Sequence, residues 1–169
     1  MSLLLGGALS TQLTAGLMGQ VLNEGASVTV TDAQTALLAE LADVIIPDTD
    51  TPGAKAAGAH EFIIRVIRDC HPIEEQETFY AGLAKIDEAS EAAHGKVFVD
   101  LDEDQKIAIV ADAVKTNGAF FRQLKSYTAV GYFTSEIGAT QALEYLPVPG
   151  KFEGDIPYQP GQKTWAIPR

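Results

Sequence analysis

The stretch Ile45-Ile-Pro-Asp-Thr-Asp-Thr-Pro-Gly-Ala-Lys-Ala-Ala-Gly58 separates two amphipathic helical patterns and is built for fixed shape. Pro47 has no N–H to donate and clashes with a continuing helix, so the preceding helix must stop there. Asp48 and Asp50 carry short acceptors suited to bonding backbone two residues on, and Pro52-Gly53 is a strong turn former. A loop of this kind makes a good docking element. It offers neither a nucleophile beside a base nor a metal cage.

Helical periodicity extends outward from the loop on both sides. Upstream, Thr31-x-x-Gln34 has capping-box spacing, in which each side chain satisfies an orphan amide. Leu37, Leu38, Leu41, Val44 and Ile45 then share one face. Downstream, Phe62, Ile63, Val66, Ile67 and Cys70 form a second apolar stripe that ends near Pro72. Ile73, Phe79, Leu83 and Ile86 mark a third helix, with Gly95 as its stop. Asp102-Glu-Asp-Gln105 supplies an acidic start for a fourth, suited to the positive end of the helix dipole. Its apolar positions are read as Ile107, Val110, Ala111 and Val114. Phe120, Phe121, Leu124 and Thr128 mark a fifth, broken around Gly131. Val28-Thr-Val30 and Val97-Phe-Val99 are β-prone but very short.

The expected fold is therefore mostly α: a single helical domain over 31–169 with about five helices. A long, irregular, proline-rich C-terminal arm begins at Tyr145. Tyr145, Phe152, Tyr158 and Trp165 lie among its prolines, and rings of that size must pack on their own domain or on a partner.

Bulk composition narrows the function classes. A chain of 169 residues with 46% hydrophobic content can bury a sizeable core in one domain. Mean hydropathy is +0.05, as for a folded globular protein. The formal net charge is −11, and no Lys/Arg cluster offers the counterion-releasing face that nucleic acid requires. An anionic membrane surface is disfavoured for the same reason. One cysteine, Cys70, rules out an intrachain disulfide and a multi-thiolate zinc site. It is read as a small apolar residue on a helix face, with an interchain bridge or a reactive thiol as the alternatives.

Residues 1–26 form a separate, signal-like segment. Ser2 to Asn23 carry no charge, and Leu3-Leu-Leu-Gly-Gly-Ala-Leu9 resembles the apolar region of a secretory signal. No basic region or twin arginine precedes it in this sequence, so it reads as a signal trimmed at its basic end. The alternative is an ordinary helix, because Leu9, Leu13, Leu17 and Val21 recur at four-residue spacing.

Motifs that would carry chemistry fall short. Asp100-x-Asp102-x-Asp104 resembles a calcium loop, but Gln105 and Ala111 stand where glycine and a bidentate glutamate belong. Gly53-x-x-x-x-Gly58 is followed by Ala59-His60, not by the Lys-Ser/Thr of a phosphate loop. His60, His71 and His94 show no ligand-like spacing. Neighbouring helical side chains diverge by about 100°, which disfavours a Cys70–His71 pair. Ser135 lacks the Gly-x-Ser-x-Gly elbow, and no Gly-x-Gly-x-x-Gly marks a dinucleotide site.

Three blocks taken together resemble the gluconate 2-dehydrogenase subunit 3 family. They are the stretch from Leu41 to Gly58; Phe120-Phe-Arg-Gln-Leu-Lys125 running into Gly131-Tyr-Phe-Thr-Ser-Glu-Ile-Gly138; and Tyr145-Leu-Pro-Val-Pro-Gly150 with the tail to Trp165. With Phe79-Tyr-Ala-Gly-Leu83, the likeness spans roughly Thr31 to Ala166. Asp69-Cys70 and Glu153-Gly154 look most like the small subunits of glucoside 3-dehydrogenases.

The resemblance implies a non-catalytic small subunit that binds and stabilises a large FAD-dependent sugar or sugar-acid dehydrogenase of the glucose–methanol–choline type. FAD would sit in that partner, with no cofactor, metal or catalytic residue in this chain. Electrons would pass to a cytochrome c or another acceptor. Export by the twin-arginine route would bring both chains to the periplasm, with the membrane touched only indirectly. The implied partner contacts are Pro47, Asp48, Thr51, Pro52 and Gly53 in the loop, and Tyr132, Thr134, Ser135 and Glu136 further on. Pro147, Pro149, Gly150 and Trp165 complete them in the arm. A plainer reading has Gly53, Gly131 and Gly150 serving backbone turns and Tyr132 in the core. Two other functions stay open: a free-standing small enzyme using Asp48, Asp50 or Ser135, and an interaction module unrelated to redox.

Overall fold

The computed structural model describes residues 28–145, together with 148, 150, 155, 157 and 159–165. The signal-like segment, residues 1–26, therefore lies outside the described residues. Much of the arm does as well, including Pro147, Pro149, Phe152 and Tyr158. Five α-helices are described: α1 (Asp32–Ile45), α2 (Ala59–Cys70), α3 (Ile73–His94), α4 (Glu103–Thr116) and α5 (Gly118–Phe133). A 3₁₀ turn (Phe98–Asp100) joins α3 to α4, and a π-helical turn (Gly138–Ala142) follows α5. The mostly helical expectation holds.

Local signals account for most boundaries. Thr31 and Gln34 form the full capping box, and Asp102 and Gln105 form a second one at the start of α4. Helix α1 ends at Ile45, two residues before Pro47. Gly95 ends α3 at φ +69°, a left-handed conformation that glycine adopts without a Cβ penalty.

The main core joins all five helices. Leu37, Leu38 and Leu41 of α1 meet Ile63 and Ile67 of α2, Phe79, Leu83 and Ile86 of α3, and Phe120 and Leu124 of α5. Each fully buried aliphatic side chain of this size contributes about 2 kcal/mol relative to exposure. Phe98 enters the same core from the 3₁₀ turn, where its amide donates to the Asp87 carboxylate at 2.9 Å. Helices α2 and α5 form the most extensive helix pair. Their approach is close enough that a Cβ on Gly131 would come within 2.9 Å of the Phe62 ring.

Three expectations need correction. Helix α5 is not broken at Gly131 but runs through it to Phe133, because the missing side chain lets Phe62 pack against the helix. The short valine pairs, as expected from their length, form no strand among the described residues: Val28 and Val30 pack on the core, and Phe98–Asp100 is helical. Cys70 is exposed at the end of α2, since Ile63 and Ile67 define the inward face. Helix α4 turns Ile109, Val110 and Ala113 inward, which leaves Ile107 50% and Val114 49% exposed and Ala111 outside as well. Its apolar residues lie on two adjacent stripes, and only packing against α1, α3 and α5 decides between them.

Candidate partner-docking site

The loop between α1 and α2 closes on itself. The Ala54 amide donates to the Ile46 carbonyl at 2.8 Å, and the Gly53 amide donates to the Asp48 carboxylate. Asp48 thus reaches five residues ahead, further than the two-residue reach read from sequence, while Asp50 accepts from the Thr49 hydroxyl at 3.0 Å. Gly53 is buried with ordinary backbone dihedrals; what it supplies is space. A Cβ there would lie 2.7 Å from Asp48 N and Ile46 O and 2.8 Å from Pro47 C. Gly58, at φ +70°, turns the chain into α2.

Tyr132, near the end of α5, holds the loop from below. It is 2% exposed, its hydroxyl donates to the Pro52 carbonyl at 3.0 Å, and it lies 3.2 Å from the Thr51 hydroxyl. Ala42, Ala54 and Ala59 surround its ring as a small second core, with Ile46 and Ile137 partly buried against it. Alanines at these positions let three backbone segments approach the ring. Two of the sequence blocks are thereby brought into one unit. Within it Pro47, Asp48 and Asp50 stay exposed, and Thr51 and Pro52 are half-buried.

The segment after α5 is equally constrained. The Ser135 hydroxyl donates to the Tyr132 carbonyl at 2.7 Å and accepts from the Gly138 amide at 3.0 Å. A Cβ on Gly138 would stand 1.9 Å from the Tyr132 carbonyl oxygen. Thr134 is exposed, with its hydroxyl donating to the Val130 carbonyl, and Glu136 is exposed beside it. In the arm, Trp165 is half-buried and bridges in parallel to Glu144, whose amide donates to the Thr164 carbonyl at 2.8 Å. Gly150 is exposed, with open space where a Cβ would point.

Charge concentrates on one side of the loop. The Glu40 carboxylate bonds both Lys106, at 2.6 Å, and Lys55. Burial pushes the Glu40 carboxyl up, but the hydrogen bonds and charges of Lys106 and Lys55 together hold it below its ordinary value. Burial, then the nearby Asp48 and Glu40 charges, push the Asp43 carboxyl up despite the two lysines.

Sequence reading missed two polar anchors. Gln76 is fully buried: its Oε1 accepts from the Val28 amide, and its Nε2 donates to the carbonyls of Arg68 and His71. His71 lies 2.7 Å from both Glu75 and the Tyr127 hydroxyl, so α5 is tied to the α2–α3 corner. The four-residue spacing of His71 and Glu75 was the only available signal. Among the described residues, no group of three or more His, Cys, Asp or Glu is placed to hold a metal ion.

The profile of gluconate 2-dehydrogenase subunit 3 matches residues 32–150, which takes in all five helices, the loop and the turn after α5. The chain belongs to this family. It is thus an accessory subunit of a dehydrogenase. No curated protein and no solved structure gives a significant match. In family terms, the loop from Pro47 to Gly58 and the Tyr132 latch both fall inside the matched region.

Proposed function

We propose that this chain is the non-catalytic small subunit of a periplasmic FAD-dependent sugar or sugar-acid dehydrogenase, and that it docks the large flavoprotein through the latched loop. FAD belongs to that partner, which removes hydride from the sugar and passes electrons to a cytochrome c or a similar acceptor. The supporting observation is the loop itself. Pro47, Asp48 and Asp50 are presented to solvent while Gly53, Ala54 and Tyr132 anchor the same segment from beneath. A pre-organised surface of this kind loses little conformational entropy on binding.

Export follows a physical logic. FAD is inserted before transport, so the enzyme crosses folded, and one twin-arginine signal serves both chains once they have bound. Co-expression with a large FAD-dependent dehydrogenase subunit from the same cells tests the reading. The expected result is a yellow, co-purifying complex that reduces an artificial electron acceptor in the presence of sugar. Sugar oxidation by the isolated chain, or a colourless chain that never joins the flavoprotein, overturns it.

A further inference from the structure

Beside the loop, α1 and α4 enclose a groove of about 370 Å³. Val44, Pro47 and Ile107 supply its apolar surface, and Asp43, Asp48 and Glu103 its acidic rim. Both lysines at hand, Lys55 and Lys106, are bonded to Glu40. Asp43 and Glu103 make no hydrogen bond or ion pair among the described residues. Ile107 also begins the outward apolar stripe of α4, which Ala111 and Val114 continue beyond the groove.

We infer that this groove is the socket for a cationic segment of the catalytic subunit, an arginine or lysine flanked by an apolar side chain. The inference rests on the docking role proposed above. Charge complementarity selects the occupant. A second copy of this chain would bring the same carboxylates against the rim, and a nucleic acid or an acidic peptide would be repelled. A guanidinium or ammonium from the partner pairs with Asp43 and Glu103, and its apolar neighbour covers Ile107. The raised affinity of Asp43 for its proton fits this arrangement, because the free subunit carries a carboxylate that its surroundings do not neutralise.

The test titrates the large FAD-binding subunit against immobilised wild-type chain and against the double charge reversal Asp43→Lys, Glu103→Lys. A second double reversal, Glu88→Lys, Glu91→Lys on the exposed side of α3, is the control. The groove reversal is expected to weaken binding by about tenfold or more and to flatten its salt dependence, while the control changes neither. Circular dichroism monitors folding, and the neutral Asp43→Asn offers a milder variant with the same direction of effect. A photocrosslinker at position 107 should mark a Lys- or Arg-containing peptide of the flavoprotein. If wild type binds and both reversals behave alike, or the crosslink falls on an acidic peptide, the socket is wrong while the docking role stands. If wild type does not bind, both readings fall. Dimerisation of the chain alone that Ile107→Glu abolishes would show a second copy to be the occupant, and would also overturn the inference.

Discussion

The Tyr132 hydroxyl donates to the Pro52 carbonyl at 3.0 Å, joining the end of α5 to a loop 80 residues earlier in the chain. The same hydroxyl lies 3.2 Å from that of Thr51. Removing the oxygen with Tyr132→Phe keeps the buried ring but leaves the Pro52 carbonyl without this partner. The expected cost is about 1–2 kcal/mol in urea unfolding. Amide exchange should rise across 47–58 more than in the helices, and binding of the flavoprotein should weaken because the loop is no longer held.

Gly53→Ala should be more damaging than its size suggests. The new methyl meets three backbone atoms at 2.7–2.8 Å, and backbone cannot swing aside as a side-chain tip can. A loss of about 2 kcal/mol or more is expected, whereas Gly150→Ala should stay within about 0.5 kcal/mol. Thermal melts of the two variants side by side check this contrast.

Acidification should separate Glu40 from Asp43. The Glu40 pKa is lowered on folding, so its contribution is complete above its unfolded value and is lost as pH falls through the lower folded value. The Asp43 pKa is raised, so its charge is a penalty that develops as pH rises from the unfolded value through the folded one. Glu40→Gln should therefore destabilise at neutral pH and lose less than wild type on acidification. Asp43→Asn should stabilise the free chain slightly at neutral pH, by at most about 0.5 kcal/mol, with the gain vanishing in acid. Urea midpoints measured across the acid range decide both signs. A rise in free-chain stability together with weaker partner binding would identify Asp43 as a group kept for docking.

Gln76→Leu conserves bulk but strands the carbonyls of Arg68 and His71 and the amide of Val28. Buried groups left without partners are costly, and about 3 kcal/mol of destabilisation is expected. Gln76→Glu should be no better, because a carboxylate cannot donate to the two carbonyls. Chemical unfolding of both variants measures the effect.

The helices were legible because their signals are local. The Thr31–Gln34 box, Pro47 and Gly95 act within a few residues of themselves, and the structure puts boundaries beside each of them. The loop was legible as rigid for the same reason, although its main bonds differ from those expected: Asp48 reaches Gly53, and Gly53 serves close approach. Helix α4 was misread because its apolar residues satisfy helical spacing on either of two stripes. Gln76 gave no signal, since a glutamine in a helix ordinarily faces water.

By itself, then, the chain's order of residues determined five helices, the stops at Pro47, Pro72 and Gly95, an acidic composition and a stiff connector, which follow from short-range sterics, hydrogen bonding and side-chain charge. Tertiary packing alone decided which side of α4 faces water, that Tyr132 grips Pro52, and that Glu40 gathers two lysines beside an unneutralised Asp43. Those outcomes depend on distances between segments remote in sequence, and such distances exist only once the core has closed.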